Sequence, residues 1–347
     1  MAKRRFVVLC LQGFGDSLEA TPLVEQLHRN VPEAELVVVT MRPQVRDLYR
    51  ALPHLVDRVA YIPYWEKGKV GAALAAARLP GMTRSEASFL AYPAGRPEYA
   101  LFCRAIGSRK HYAHDYEYPA RLRGLIRSSS RTVPIAAKHN VLRNLDLLAA
   151  AEFQVTVPTG YVVPESWKAP RDLPARVLLH IGSIAHDGLE NKRWPAQNFL
   201  ELGREIERQS FQLAFISGPA EREETEALAR ELGRSDAIIE GDLPAIAREI
   251  ARSGAVVAND SGIAHLAAGV GTPVVALMGP TAVDFGPYGP GAVAFRPSAC
   301  PPCFDPATTD MRCALDIDYA CLKRDIRVAD VAQTLLQLLD RHSSPVS

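Results

Sequence analysis

The chain has 347 residues, of which 48% are hydrophobic and 23% charged, and its formal net charge is +1. The length predicts two domains and the composition is that of a globular protein. The near-neutral charge argues against a nucleic-acid partner, and no stretch approaches the roughly 20 apolar residues of a membrane span.

The amino terminus is basic from Met1 to Arg5, and the apolar run Phe6–Leu11 follows. That run is shorter than the core of a signal peptide and enters Gln12-Gly13 directly. We therefore predict a cytoplasmic protein, with membrane association limited to peripheral contact at the inner membrane.

Strand and helix signals alternate along the first half. Arg5–Leu11 predicts a buried strand because its apolar residues are continuous, and a loop over Gln12–Ser17 follows it. A helix is predicted to begin near Thr21-Pro22, where threonine suits the cap and proline the first turn. Residues 66–131 give no secure assignment. The other elements predicted here are strands over 35–40 and 58–64 and helices over 44–52 and 136–151.

The second half repeats this alternation after residues 156–174, whose four prolines predict an interdomain linker. Two parallel α/β halves would bind ligands at the carboxyl ends of their strands, so a cleft between them is expected. The predicted elements are strands over 176–181, 211–217, 237–239, 255–258 and 273–278, and helices over 195–209, 221–232, 243–252 and 330–339.

The strongest functional signal lies in Asn259–Thr281, where Asp260 follows an apolar run and small residues lead into a predicted helix. Such a junction points backbone N–H groups and the positive helix end toward one place, where phosphates bind. Asp260 would accept hydrogen bonds from ligand hydroxyls, or alternatively cap the helix. The predicted diphosphate ligands are the N–H groups of Ser261, Gly262 and Ile263.

Two basic side chains could meet phosphate charge. His265 lies off the apolar stripe of the predicted helix and is expected to face away from the core, toward phosphate or sugar. Lys192 precedes the helix at Pro195 and could neutralise a leaving diphosphate as a point charge. The alternatives are a structural histidine and a solvated lysine beside a buried Trp194.

Asp16 is the candidate general base. It follows the first predicted strand, between glycines Gly13 and Gly15 that permit close approach of an acceptor, and its carboxylate could take a proton from an attacking hydroxyl. The alternative is a helix cap. The Gly-x-Gly pattern lacks the third glycine of a dinucleotide fingerprint, which disfavours a nicotinamide dehydrogenase.

Three further residues follow predicted strands of the second half. Gly218 would let a nucleotide approach closely, and Glu221 and Glu240 could bind ribose hydroxyls. Both acids could equally be helix-end or surface residues.

A basic segment, Arg96–Arg131, carries eight Lys or Arg residues against three acids, with tyrosines between them. It predicts an anionic, sugar-bearing or membrane-embedded partner, with a solvated surface as the alternative. Arg109 and Lys110 are selected from it as acceptor ligands, together with Gly13 and Gly15.

Four cysteines cluster near the carboxyl terminus. A Cys-Pro-Pro-Cys pair could bind zinc or exchange disulfides, but zinc ribbons usually have two close pairs, so a structural or redox-sensitive loop is favoured and no metal is predicted. The cluster consists of Cys300, Cys303, Cys313 and Cys321.

These motifs together resemble glycosyltransferase family 9, the heptosyltransferase-like enzymes, over most of the chain. Their order and spacing carry the resemblance more than any one of them. The motifs are Gly15-Asp16-Ser-Leu with Thr21-Pro22, His180-Ile-Gly-Ser with Lys192-Arg-Trp-Pro, Asp260-Ser-Gly-Ile-Ala-His with Gly279-Pro-Thr, and Cys300-Pro-Pro-Cys with Cys321-Leu.

The resemblance implies a GT-B fold, with two Rossmann-like domains facing a central cleft. Residues 1–165 would bind the acceptor, and residues 166–347, with a carboxyl-terminal helix, the nucleotide-sugar donor. It also implies inverting transfer without metal or cofactor. The expected donor is ADP-heptose and the expected acceptor an anionic glycolipid or glycan of the lipopolysaccharide core or a related surface glycan.

One departure from the family pattern is the insertion-like His186–Asn191, which lengthens the stretch before Lys192. Acceptor choice is left open. An epimerase or hydrolase acting on a nucleotide sugar, and a non-catalytic nucleotide-sugar-binding protein, are the alternatives on the same fold.

Overall fold

The computed structural model describes residues 3–64, 66–68, 71, 75, 79, 84–118, 124, 130–183, 192–306 and 312–343. The chain divides into two compact units. The first is Met1–Pro164 with Asp305–Thr309, and the second is Glu165–Phe304 with Asp310–Ser347.

The first unit contains a six-stranded sheet in the order β3-β2-β1-β4-β5-β6, and each neighbouring pair is parallel. This is the strand order of the Rossmann fold. The strands are β1 (Arg5–Cys10), β2 (Glu35–Thr40), β3 (Arg58–Tyr61), β4 (Ala87–Leu90), β5 (Lys110–His114) and β6 (Arg131–Val133). The helices are α1 (Phe14–Glu19), α2 (Thr21–Asn30), α3 (Pro43–Arg50), α4 (Pro97–Ala105) and α5 (Asn140–Ala150).

The second unit repeats the same topology, with the parallel order β12-β11-β10-β7-β8-β9. The strands are β7 (Leu173–His180), β8 (Gln212–Ile216), β9 (Ile238–Ile239), β10 (Ser253–Asn259), β11 (Val274–Leu277) and β12 (Ala292–Phe295). The helices are α6 (Ala196–Arg208), α7 (Arg222–Glu231), α8 (Leu243–Arg252), α9 (Gly262–Gly269), α10 (Ala320–Lys323) and α11 (Val328–Ser343), and 3-10 turns lie at Glu165–Trp167 and Val283–Phe285.

Burial explains why these segments form parallel strands. Every residue of β10 and β11 is buried, and five of the six residues of β1 are. Strands covered on both faces are continuous apolar runs, which is the pattern that predicted them. In the second unit α11 completes the core, where Val331 and Leu335 join Phe199 and Leu277.

The structure differs from the sequence prediction at the first loop. Residues Phe14–Glu19 form a helix, not a loop, because the Asp16 carboxylate accepts the Gly13 N–H at 3.0 Å and Ser17 N–H donates to the Gly13 carbonyl at 3.1 Å. These two bonds close a helical turn directly after β1. Asp16 therefore lies on a rigid element.

The unassigned middle region contains β4, α4 and β5. Its strands are short, and polar residues occupy their interior: Ser88 Oγ is hydrogen-bonded to His111 Nδ1 between β4 and β5. Such strands lack the continuous apolar run that identifies a buried strand.

Among the residues that the structure describes, no helix combines the length and apolar character needed to cross a membrane.

Candidate functional site

The residues of the second unit that are candidates for binding the nucleotide-sugar donor follow the carboxyl ends of its parallel strands. They therefore share one edge of the sheet. His180 ends β7 and Asp260 follows β10, and these two strands are neighbours at the point where the strand order reverses. Ligands of open α/β sheets bind at this switch point. Gly218 and Glu240 follow β8 and β9 on the same edge.

Helix α9 begins at this switch point with a half-exposed first turn. Its N-cap is Ser261, with extended backbone at φ −153° and ψ 165°, so Asp260 does not cap it. Within the described part of the chain the Ser261 side chain makes no capping hydrogen bond, and its hydroxyl lies 3.2 Å from His180 Nδ1. The N–H groups of Gly262 and Ile263 thus begin the helix without a serine cap.

Lys192 and Asp260 form an ion pair, with 2.5 Å between Nζ and Oδ2. The lysine side chain is 20% exposed and the aspartate side chain 7%. Lys192 is therefore not a solvated surface lysine, which was the alternative to a phosphate-binding role. The pair places a cation next to the positive end of α9.

Asn259 connects three loops at this edge and was not among the sequence candidates. Its side chain is fully buried; Oδ1 accepts the Trp194 N–H at 2.8 Å and Nδ2 donates to the Ile181 carbonyl at 2.6 Å. Trp194 lies two residues after Lys192, and Asp260 follows Asn259. An asparagine at the end of an apolar strand is the sequence signal that could have identified it.

Glu221 is buried beside His180. Its Oε1 accepts the Gly218 N–H at 2.8 Å and lies 3.3 Å from His180 Nε2. Burial favours a higher pKa for the Glu221 carboxyl, but the contacts with His180 and the Gly218 N–H outweigh burial, and the pKa is lowered. A Cβ at Gly182 would lie 2.4 Å from Glu221 Cδ, so a glycine there makes room for this carboxylate.

Two other predicted donor-binding residues, Glu240 and His265, differ in burial. Glu240 is exposed at the end of β9, and Arg222 donates to its carboxylate at 2.7 Å. His265 is only 5% exposed, so it does not face solvent. Its neighbours Ala264 and Leu266 are buried as well, because α9 packs against both β10 and β11.

In the first unit, Asp16 is half-buried in α1, directly after the central strand β1. Arg42 follows β2 and Tyr99 lies in the helix after β4, so both come from strands adjacent to β1. Burial lowers the pKa of the Arg42 guanidinium, and the nearby Tyr99 and Asp16 oppose that shift, while Arg96 adds to it. Arg42 and Tyr99 therefore lie near Asp16, and Arg96 lies near both of them. The sequence had not singled out Arg42.

Arg109 and Lys110, the predicted acceptor ligands, do not lie at the edge of the sheet that carries Asp16. Lys110 begins β5 and pairs with Ala87, which is level with Phe6 near the start of β1. Both residues thus lie at the amino-terminal edge of the sheet, opposite Asp16. Residues 119–123 and 125–129 of the basic segment and the insertion-like His186–Asn191 fall outside the described residues.

Of the acceptor glycines, Gly15 is buried inside α1, and Gly13 is half-buried at its start. A Cβ on Gly13 would lie 3.1 Å from Asp16 Oδ2. Glycine at 13 therefore leaves the Asp16 carboxylate room to accept the backbone bond that holds it.

The cysteine-rich segment braces the end of β11. The Pro280 carbonyl accepts N–H groups of Cys303 and Phe304 at 2.9 and 3.1 Å, and Arg296 donates to the Gly279 and Cys300 carbonyls. All six cysteines are free thiols. No group of three or more His, Cys, Asp or Glu side chains among the described residues is arranged to hold a metal ion.

Comparisons with known proteins agree with this fold. A family 9 glycosyltransferase of Veillonella parvula DSM 2008 is 19% identical over 98% of this chain and 99% of that chain, with a TM-score of 0.78. E. coli ADP-heptose lipopolysaccharide heptosyltransferase II is 19% identical over 98% of this chain and 100% of that chain, with a TM-score of 0.69. E. coli heptosyltransferase WaaC with ADP-2-deoxy-2-fluoro heptose is 18% identical over 96% of this chain and 99% of that chain, with a TM-score of 0.70. A search of curated protein sequences finds no match.

The predicted GT-B class, with two Rossmann-like units, is thereby confirmed. The sequence model of glycosyltransferase family 9 (heptosyltransferase) matches residues 95–312, a span that includes Lys192 and the Asp260 motif. Because that span exceeds half of the chain, the protein belongs to glycosyltransferase family 9.

Proposed function

We propose that the enzyme is an inverting glycosyltransferase that moves heptose from ADP-heptose onto an anionic acceptor of the lipopolysaccharide core or a related surface glycan. The observation that carries this proposal is the Lys192–Asp260 pair, mostly removed from solvent, beside the start of α9, where Ser261 makes no capping bond. One solved relative, E. coli WaaC, holds ADP-2-deoxy-2-fluoro heptose. The acceptor class would bring the enzyme to a membrane surface as a peripheral protein.

The second unit would bind the donor. The diphosphate would accept from the N–H groups of Ser261, Gly262 and Ile263, where the helix dipole favours negative charge. Asp260 has two carboxylate oxygens and could hold a sugar hydroxyl on one side while Lys192 contacts it on the other. Glu221 and Gly218 would lie at the ribose.

Charge on the leaving diphosphate must be balanced as the glycosidic bond breaks. We propose that Lys192 and the first turn of α9 supply this balance without a divalent ion. Hydrogen-bond donors and cations that are fixed in a partly dehydrated site stabilise developing charge strongly, because they need no reorganisation during the reaction.

The first unit would bind the acceptor and supply the base. Asp16 would take the proton of the acceptor hydroxyl as its oxygen forms the bond to the anomeric carbon, while the bond to the diphosphate oxygen breaks on the opposite face. The Gly13 N–H and the position in α1 hold the carboxylate in place. Arg42 and Arg96 would bind an anionic group of the acceptor near the attacking hydroxyl.

A transfer assay with candidate nucleotide sugars tests the proposal. Asp16→Asn is the informative variant, because asparagine can still accept the Gly13 N–H and so preserve α1. We expect kcat to fall about 10²- to 10⁴-fold with the unfolding free energy unchanged. Transfer by this variant at the wild-type rate would exclude Asp16 as the base.

Two further measurements in the same assay test metal independence and distinguish a transferase from the alternative functions. A chelator should leave transfer unaffected, and a loss of activity would contradict metal independence. Donor consumption without a glycosylated product would favour an epimerase or hydrolase, and donor binding without turnover a binding protein.

A further inference from the structure

We propose that His180 is a positioning residue that keeps the first N–H groups of α9 open for a diphosphate by holding the Ser261 hydroxyl away from them. This inference rests on the proposed function, since it takes the diphosphate of the donor as the ligand of that helix end.

The starting observation is the unusual use of a serine at an N-cap. Such a serine ordinarily accepts a hydrogen bond from the second or third N–H of its own helix. Ser261 has the extended backbone that suits a cap, but its Oγ is 3.2 Å from His180 Nδ1 and makes no bond to the described first turn of α9. The Ala264 N–H already donates to the Ser261 carbonyl at 3.1 Å, so the group left for such a cap is the Ile263 N–H, one of those assigned to the diphosphate.

The His180 ring is fixed from its other side. It is 6% exposed, and Nε2 lies 3.3 Å from Glu221 Oε1. An ionised carboxylate only accepts hydrogen bonds, so Nε2 carries a proton. In the neutral ring Nδ1 is then an acceptor, and the Ser261 hydroxyl must donate to it.

Glu221 anchors this arrangement. Its carboxylate also accepts the Gly218 N–H at 2.8 Å and packs over Gly182, where a Cβ would lie 2.4 Å from Cδ. The connection Glu221–His180–Ser261 therefore joins loops that follow β8, β7 and β10. If Nδ1 is lost, the serine hydroxyl is free to rotate onto its own helix and compete with the diphosphate.

Two substitutions of His180 separate its two contacts. His180→Gln can place an amide where Nε2 was and still reach Glu221, but it has no group at Nδ1. His180→Asn does the reverse, because its short amide can occupy the Nδ1 position and bind Ser261. Ser261→Ala removes the competing hydroxyl and keeps the backbone N–H.

The experiment is calorimetric titration with whichever of ADP, UDP and GDP binds the wild type, applied to His180→Gln, His180→Asn, Ser261→Ala and the double variant His180→Gln/Ser261→Ala. We expect His180→Gln to weaken binding about fivefold, the equivalent of a serine cap worth about 1 kcal/mol. His180→Asn should bind as the wild type does. In the Ser261→Ala background, His180→Gln should cause no further loss.

The double variant decides the interpretation. An equal penalty from His180→Gln with and without the serine hydroxyl would mean independent effects, and would overturn the proposal. Equal binding by His180→Gln and the wild type would also overturn it. If the wild type binds none of the three diphosphates, the proposed function fails and this inference with it. Thermal unfolding of each variant shows whether it is folded.

Discussion

Lys192 and Asp260 form an ion pair with 2.5 Å between Nζ and Oδ2, and both side chains are mostly removed from solvent. Exposed ion pairs contribute little to stability, whereas removing one partner of a buried pair leaves an uncompensated charge. The lysine thus holds the carboxylate in place, while the carboxylate orients the cation next to α9. Each residue of the pair depends on the other.

Lys192→Met should therefore impair turnover. We expect kcat to fall about 10²-fold, because the leaving diphosphate loses a fixed cation, and donor affinity to fall with it. Steady-state kinetics with varied donor measures both. Lys168→Met is the matched control, since Lys168 forms an exposed pair with Glu165 in the same unit. Unchanged kinetics in Lys192→Met would remove Lys192 from the site.

Asn259→Ala should destabilise the second unit. It would leave the backbone N–H of Trp194 and the carbonyl of Ile181 without their hydrogen bonds to Asn259, at a cost of about 1–3 kcal/mol per group. Urea unfolding followed by circular dichroism measures the change. Gln197→Ala, which removes an exposed amide, is the control and should stay within about 0.5 kcal/mol. A similar small change in Asn259→Ala would show that the three loops hold together without it.

These contacts show what the sequence could not reveal. Continuous apolar runs predicted the parallel sheets, and the Asp260 motif predicted a phosphate-binding helix, because both are local patterns. The contact of Ser261 with His180 joins residues 81 positions apart, and that of His180 with Glu221 joins residues 41 apart. No local pattern encodes such pairs. The strand beginning at Lys110 was not predicted, so the sequence did not indicate on which edge of the sheet Arg109 lies.

Arg42→Met should weaken use of the acceptor. Arg42 lies near Asp16, and a hydrogen bond to a charged group contributes about 1.5–3 kcal/mol, so we expect acceptor kcat/KM to fall about 10- to 100-fold while donor KM is unchanged. Kinetics with varied acceptor test this. The double variant Arg109→Ala/Lys110→Ala is the control, because it removes two cations at the opposite edge. A larger loss in the control would reverse our placement of the acceptor.

Cys313 should be the fastest of the six thiols to react with iodoacetamide. Backbone N–H groups of Tyr319 and Ile317 lower its pKa, and the side chain is half-exposed. Burial raises the pKa of Cys10 and of Cys103 to about 12, so both should stay unmodified in the folded protein. Peptide mass spectrometry over a time course gives the order. Labelling of Cys10 before Cys313 would contradict this, and Cys313→Ser should abolish the fast phase.

His114 should make the first unit less stable in mild acid. Burial, then the positive charge of Arg143, lowers its pKa to about 3, while an unfolded histidine titrates near 6.5. Between these values the unfolded state binds the proton and the folded state does not. Stability is therefore full above pH about 6.5 and is lost as the pH falls toward 3, by up to about 1.4 kcal/mol per pH unit. His114→Phe keeps the ring beside Tyr92 and cannot titrate. Urea unfolding at pH 7, 6 and 5 should give this variant a flatter pH dependence than the wild type. Identical slopes would show that His114 takes up its proton over the same pH range in the folded protein as in the unfolded chain.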